Sequence, residues 1–137
     1  MRKILLFTLA ILLIPLTSWA ASDRVHGFFN LRATTYALTE ATGACALPVG
    51  LSNIYTLTPT DNQDTTITFS GAGTAGDIII IVFTTGGTGD EVITFHTTLV
   101  NSAGTLTLGT TASRFYTITL ISNGTVWFEI ARTGEQS

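Results

Sequence analysis

The residues of this chain that are best suited to chemistry are few and lie far apart. His26 and His96 are the two histidines, and Cys45 is the single cysteine. A zinc site needs three or four ligands, and no acid or thiolate cluster accompanies either histidine. His96 is therefore predicted to be a surface residue of its strand. Cys45 cannot form an internal disulfide, so it is either a small buried apolar residue or the site of an intermolecular disulfide.

Two acidic loops offer oxygen ligands, but too few of them for a metal site. Residues 61–64 read Asp-Asn-Gln-Asp, and Asp90-Glu91 follows a glycine-rich joint. Ca²⁺ takes about six to eight oxygens, and acids in turns usually bond to nearby backbone instead. Paired acids, a Ser/His/Asp set and a phosphate-binding loop all lack motif support. The sequence predicts no catalytic residue, no metal, no cofactor and no enzymatic activity.

Threonines form four Thr-x-Thr units, which begin at Thr56, Thr66, Thr105 and Thr117. In a strand both threonines point to one face and the middle residue to the other. A flat, evenly spaced array would bind ordered water, as ice-binding proteins do. These units are unevenly spaced, so we interpret them as ordinary solvated strand faces. Ice binding is kept as the least favoured of the functional hypotheses.

The first twenty residues have the pattern of a secretory signal peptide. Arg2 and Lys3 precede an apolar run from Ile4 to Leu16, and Ser18-Trp19-Ala20 offers small residues before a cut after Ala20. The run is shorter than the roughly 20 apolar residues of a membrane anchor. We expect cleavage, export through the bacterial Sec pathway and a secreted or cell-surface product with no membrane anchor.

Composition excludes some classes of partner. The chain is 45% hydrophobic and 11% charged, which is not the composition of a disordered protein. After cleavage, four arginines against nine acids leave a formal charge of -5. A lysine-free acidic chain has little to neutralise phosphates, so the sequence predicts no nucleic-acid partner.

From Leu51 onward the chain reads as short strands separated by Gly, Asn and Asp. This pattern predicts an all-β domain over residues 51–137, with short antiparallel strands forming a β-sandwich, barrel or β-roll. The candidate strands are Ile54 to Leu57, Thr65 to Ser70, Asp77 to Thr84, Glu91 to Phe95, Thr105 to Leu108, Phe115 to Ile121 and Thr125 to Ala131. Residues 21–50 are predicted to be an arm with one strand, Phe28 to Tyr36, then a linker. The arm would dock on its own domain or on a neighbouring copy.

The run from Asp77 to Phe83 is apolar after its first residue and does not alternate, as in a strand that is covered on both faces. It predicts at least two layers, or subunits that supply the second layer. A faint repeat, Thr66-Ile67-Thr68-Phe69 and Val92-Ile93-Thr94-Phe95, indicates two equivalent strands.

The stretch from Arg114 to Arg132 holds two alternating runs around Ser122-Asn123-Gly124, a strong hairpin signal. A three-residue loop would pair Leu120 with Val126 and Ile118 with Phe128, which makes one face wholly apolar. The opposite face would then carry Phe115 and Trp127, whose rings require cover from a partner surface.

The closing strand, Gly124-Thr125-Val126-Trp127-Phe128-Glu129-Ile130-Ala131-Arg132, resembles the "G-T-x-W-x-E-I-x-R" strand of β-modules in phage tail fibres and other exported fibrous proteins. Residues 89–95 and 109–113 resemble the same modules. The likeness covers about residues 51–132 and implies an all-β structural or receptor-facing module, often a homotrimer. The signal peptide departs from tail fibres, which assemble in the cytoplasm, and favours an exported surface protein.

Together these features predict an exported, self-associating structural module, such as a surface fibre, filament or appendage subunit. Its partner would be itself, as a trimer or filament. Its interface is expected to use six apolar residues: Phe28, Phe29, Leu31, Phe115, Ile121 and Trp127. The alternative is a module that binds surface glycans or a receptor, with Trp127, Tyr116 and Phe115 as stacking rings.

Overall fold

The computed structural model describes residues 34–59, 63–87, 91–96 and 98–137. All their regular structure is β, so the all-β class is confirmed. Eleven strands are described: β1 (Thr35–Ala37), β2 (Glu40–Ala41), β3 (Ala44–Leu47), β4 (Ile54–Leu57), β5 (Thr65–Phe69), β6 (Ile78–Thr84), β7 (Val92–Phe95), β8 (Val100–Asn101), β9 (Leu106–Thr107), β10 (Phe115–Ser122) and β11 (Trp127–Arg132).

The strands form two sheets that face each other. The six-stranded sheet has the order β1-β4-β6-β10-β11-β8, and the five-stranded sheet has the order β2-β3-β5-β7-β9. From β3 to β7 the chain alternates strictly between the sheets, so strands two apart in sequence lie side by side. This is the winding of a β-roll, one of the three predicted architectures.

Antiparallel pairing, expected for all strands, holds for only part of the fold. Of the nine strand pairings described, five are parallel, including β4 with β6 and β5 with β7. The reason is that the Gly- and Asp-rich joints are not hairpin turns. Such a connection, which we call an arch, links strands of opposite sheets over six to eight residues, so the next strand in the same sheet runs in the same direction.

The faint repeat is confirmed as a pair of equivalent strands. Its two copies lie in β5 and β7, which are parallel neighbours, with Thr66 beside Thr94 and Ile67 beside Phe95. The register is two residues away from the sequence alignment of the copies. An even shift keeps the same residues facing inward, because side chains alternate along a strand.

The region expected to be a linker is part of the fold. β3 pairs with β5, and both Cys45 and Leu47 are buried in the core. The described part of the arm thus packs on its own domain, one of the two alternatives. Its small residues suit a strand that lies against another sheet, which makes the linker prediction for residues 44–47 wrong.

The core lies between the inner faces of the two sheets. The alternation of β6 places Ile79, Ile81 and Phe83 inward, where they are almost completely buried. In the opposite sheet Ile67 and Ile93 face them. The two layers predicted from the isoleucine run are present, but they cover only one side of that strand. Its other side carries Ile78, Ile80 and Val82, each half-buried.

Candidate functional site

The C-terminal hairpin differs from its predicted register. Ser122 pairs with Trp127 and Leu120 with Glu129, so the loop has four residues, 123–126, and the predicted three-residue loop is wrong. Asn123 forms the turn, because its Oδ1 accepts the N–H groups of Thr125 at 2.8 Å and Val126 at 2.9 Å. Gly124 takes a left-handed φ of 91°, as expected for the glycine of this turn.

A bulge in β11 explains how charged residues come to face inward. The pairing steps from Leu120↔Glu129 to Thr119↔Ala131, which leaves Ile130 as the extra residue. In a regular strand Glu129 and Arg132 would point to opposite faces, but the bulge puts both on the inner face. Arg132 Nε lies 2.7 Å from Glu129 Oε1. Sequence reasoning placed Glu129 on the outward face because it assumed an unbroken alternation and a different hairpin register.

The Glu129–Arg132 pair binds the connection between β8 and β9. Glu129 accepts the N–H of Ala103 at 2.9 Å, and Arg132 donates to the carbonyls of Thr105 at 2.7 Å and Gly104 at 3.0 Å. Burial alone would raise the pKa of Glu129, but the hydrogen bonds from Arg132 and Ala103 and the charge of Arg132 lower it. We call this group the Glu129–Arg132 clamp.

A pH-dependent stability is expected from the clamp. Because the pKa of Glu129 is below its ordinary value of 4.5, its stabilisation is complete above that value and is lost as the pH falls through the lowered pKa. We expect Glu129→Gln to lower the free energy of unfolding by about 1 to 2 kcal/mol at pH 7. In urea unfolding from pH 7 to pH 3, the gap between wild type and variant should close at the acid end. A gap that stays constant would contradict the assignment.

Trp127 is not the exposed interface residue that was predicted. Its side chain is 1% exposed, and its ring lies 5.7 Å from that of Phe69 in the opposite sheet. Its indole N–H donates to the carbonyl of Gly71 at 2.9 Å. The register explains the error, since Trp127 pairs with Ser122 on the inner face. Trp127 packs between the two sheets, so its ring is not accessible to a partner protein or a sugar.

The other predicted interface residues have mixed outcomes. Phe28, Phe29 and Leu31 lie outside the described residues. Phe115 is 43% exposed and Ile121 is half-buried on the outer side of the six-stranded sheet. Tyr116, offered as a stacking ring, is buried, and its hydroxyl accepts the N–H of Gly109 at 2.9 Å.

The outer face of the six-stranded sheet brings together a set of residues that the sequence did not group. Strand registers align them in four rows that cross the sheet. The members are all uncharged: Ile78, Ile121, Phe128 and Asn101; Thr35, Ile54, Ile80, Thr119 and Ala131; Ala37, Thr56, Val82 and Thr117; and Thr84, Phe115 and Gln136. At the bulge, Ile130 is 55% exposed beside them. The alternation of β6 and β10 could have identified the outward-facing residues of these two strands. Grouping them into rows with residues of other strands required the register of the strand pairings.

The four Thr-x-Thr units have the predicted orientation, since Leu57, Ile67, Leu106 and Ile118 are buried between their threonines. They do not form one array. Thr56 and Thr117 belong to the outer face of the six-stranded sheet, whereas Thr66 lies on the other sheet with its hydroxyl 3.1 Å from that of Thr94. The neighbouring position on β3 is Ala44, which interrupts the row.

The candidate chemical residues stay separate. Cys45 is buried, and burial, aided by the charge of Glu40, raises the pKa of its thiol to about 11. It therefore fits the buried apolar reading, and the intermolecular disulfide is not supported. His96 is exposed and its Nδ1 lies 3.0 Å from the Thr98 hydroxyl. His26, Asp61, Asn62 and Asp90 lie outside the described residues.

No family model matches the chain. Searches of the curated proteins and of the solved structures also find no match. In the part of the chain that the structure describes, three or more His, Cys, Asp or Glu side chains never gather closely enough to hold a metal ion. The same residues contain no helix with the length and apolarity required to cross a bilayer. The likeness to tail-fibre modules stays a prediction from the residues.

Proposed function

We propose that this protein is an exported, non-enzymatic structural module that associates with further copies of itself through the outer face of its six-stranded sheet. The observation that carries the proposal is the composition of that face. It holds Ile54, Ile80, Val82 and Ile121 in adjacent positions, and its four rows contain no charged residue. A partly exposed apolar patch of this kind, with Phe115 43% and Ile130 55% exposed beside it, is typical of an interaction surface.

A second copy suits this face better than an unlike partner. An uncharged face meets its own copy without opposing like charges, as a two-fold interface requires. The four rows hold four, five, four and three residues, 16 in all. With strands about 4.8 Å apart and about 6.8 Å between alternate residues of a strand, they give a patch of about 500 Å². Two such patches would bury about 1,000 Å², the lower limit for a specific interface. We therefore expect reversible association with a dissociation constant of about 1 to 100 μM.

The alternative functions have less support. The glycan platform of Trp127, Tyr116 and Phe115 is lost, because two of its three rings are buried. Ice binding requires an even threonine lattice. The aligned residues of β3, β5 and β7, which are Ala44, Thr66 and Thr94, are 22 and 28 positions apart, and the first of them lacks a hydroxyl.

Association is tested with Ile80→Lys, which places a charge at the centre of the face. In a two-fold interface the two new lysines approach each other, so we expect association to weaken at least about tenfold. Sedimentation velocity from low to high micromolar concentration measures the change. Thr68→Lys, an exposed position on the five-stranded sheet, is the matched control and should associate as wild type does.

Two results would overturn the proposal. One is a wild-type protein that stays monomeric across the whole concentration range. The other is an association that Ile80→Lys leaves intact. Thermal unfolding of both lysine variants shows whether the monomer still folds, which separates a lost interface from a lost fold.

A further inference from the structure

A cleft of about 600 Å³ lies beside the outer face, where β8 ends the six-stranded sheet and β9 ends the five-stranded sheet. Its size is within the usual range of small-molecule sites. Its lining residues carry no charge: Thr94, Phe95, Val100, Asn101, Ser102, Gly104, Thr105, Val126 and Phe128. A charged ligand would find no partner among these side chains, so the cleft favours a neutral one.

Three polar side chains of the cleft make weak hydrogen bonds, or none, with the described residues of the protein. The amide of Asn101 and the hydroxyl of Thr105 make no hydrogen bond with the residues that the structure describes. Ser102 Oγ has only contacts of 3.4 Å with Gly104. An amide has two donors and an acceptor, and each hydroxyl donates and accepts. These groups are therefore available to a ligand that carries several hydroxyls.

The segment that carries Ser102 and Thr105 is held in place by hydrogen bonds. The Glu129–Arg132 clamp bonds to the backbone of residues 103, 104 and 105, which lie between or beside the polar side chains. Backbone that is already positioned loses less entropy on binding. Two phenylalanines, Phe95 and Phe128, supply aromatic lining to the same cleft.

We propose that this cleft binds a small neutral sugar. A pyranoside ring has apolar C–H faces, which pack on aromatic and aliphatic side chains, and hydroxyls at its rim, which pair with amides and hydroxyls. The cleft offers both kinds of surface and no charge. The site is complete within one copy, because all its lining residues belong to this chain. Asn101 and Phe128 also end one row of the outer face, so a bound sugar and a second copy would compete for these two residues.

The test is a titration of the ¹⁵N-labelled protein, followed by amide chemical shifts. The probes are the methyl pyranosides of glucose, galactose and mannose, with N-acetylneuraminic acid as a charged comparison. We expect at least one neutral pyranoside to shift amides of residues 100–105, with a dissociation constant of about 1 to 10 mM. The acidic sugar should bind at least about tenfold more weakly, since the cleft has no cation to pair with it.

Asn101→Ala should weaken the binding at least tenfold, since it removes the group with the largest hydrogen-bonding capacity. Thr107→Ala, an exposed position on β9 outside the cleft, is the control and should bind as wild type does. The proposal is overturned if none of the neutral sugars shifts these amides, if the shifts lie elsewhere, or if Asn101→Ala binds normally. A failure of Ile80→Lys to change association would leave this result unaffected.

Discussion

Trp127→Ala is expected to lower the free energy of unfolding by about 3 to 5 kcal/mol, the usual loss for a large aromatic residue in a core. The indole fills the space between the two sheets and contacts Phe69 across it. Its removal leaves a cavity and also ends the hydrogen bond to the carbonyl of Gly71. Urea unfolding measures the loss, which is a large share of the stability of a domain of this size.

Trp127→Phe is the matched control for that result. It keeps an aromatic ring between the sheets but removes the indole N–H, so we expect a clearly smaller loss, of about 1 to 2 kcal/mol. Equal losses in the two variants would mean that the hydrogen bond, and not the filling of the core, dominates. A Trp127→Ala protein as stable as wild type would contradict the burial of this side chain.

Gly73→Ala is expected to destabilise the protein by about 2 to 5 kcal/mol through two separate effects. Gly73 has a left-handed φ of 71°, which strains any residue with a Cβ. That Cβ would also lie 2.5 Å from Trp127 Cζ2, too close for the indole to stay in place. The close approach of this arch to the tryptophan therefore requires glycine.

Gly76 provides the control, because it also has a left-handed backbone conformation but does not lie close to the Trp127 ring. Its φ is 91° and an added Cβ would have no atom within 4 Å. Gly76→Ala should therefore lose only about 1 to 2 kcal/mol. In a Trp127→Ala background most of the excess loss at Gly73 should disappear, since the clashing ring is absent and only Asp77 Oδ2, at 3.2 Å, remains close. Equal losses at both glycines, or an excess that is undiminished in that background, would contradict the contact.

Much of the fold could be predicted from the sequence, because strand formation depends on local patterns. The β4 limits, Ile54 to Leu57, were predicted as they are observed, and the limits of β5, β6 and β10 within one residue. The alternation of hydrophobic residues also identified the buried face of β10. Direction of pairing could not be predicted in this way, because an arch and a hairpin use the same turn residues.

The candidate site was harder to predict, for reasons found in β11. One inserted residue, Ile130, moves Arg132 to the face of Glu129, and no local pattern marks the insertion. The same register buries Trp127, which the regular alternation had placed outside. Likewise, the outer face and the cleft combine residues from distant strands, so they become visible only when the pairing is known.

The alternation of the chain between two sheets also has a consequence for the order in which the protein folds. From β3 to β7 each strand finds its neighbours in the sheet only after the chain has crossed to the other layer and returned. Such distant closures are slow. β6, the longest strand of this part, gains its second neighbour only from β10. In a chain that becomes available N-terminus first, the six-stranded sheet can therefore be completed only after the last quarter of the sequence, which contains β10 and β11, is present.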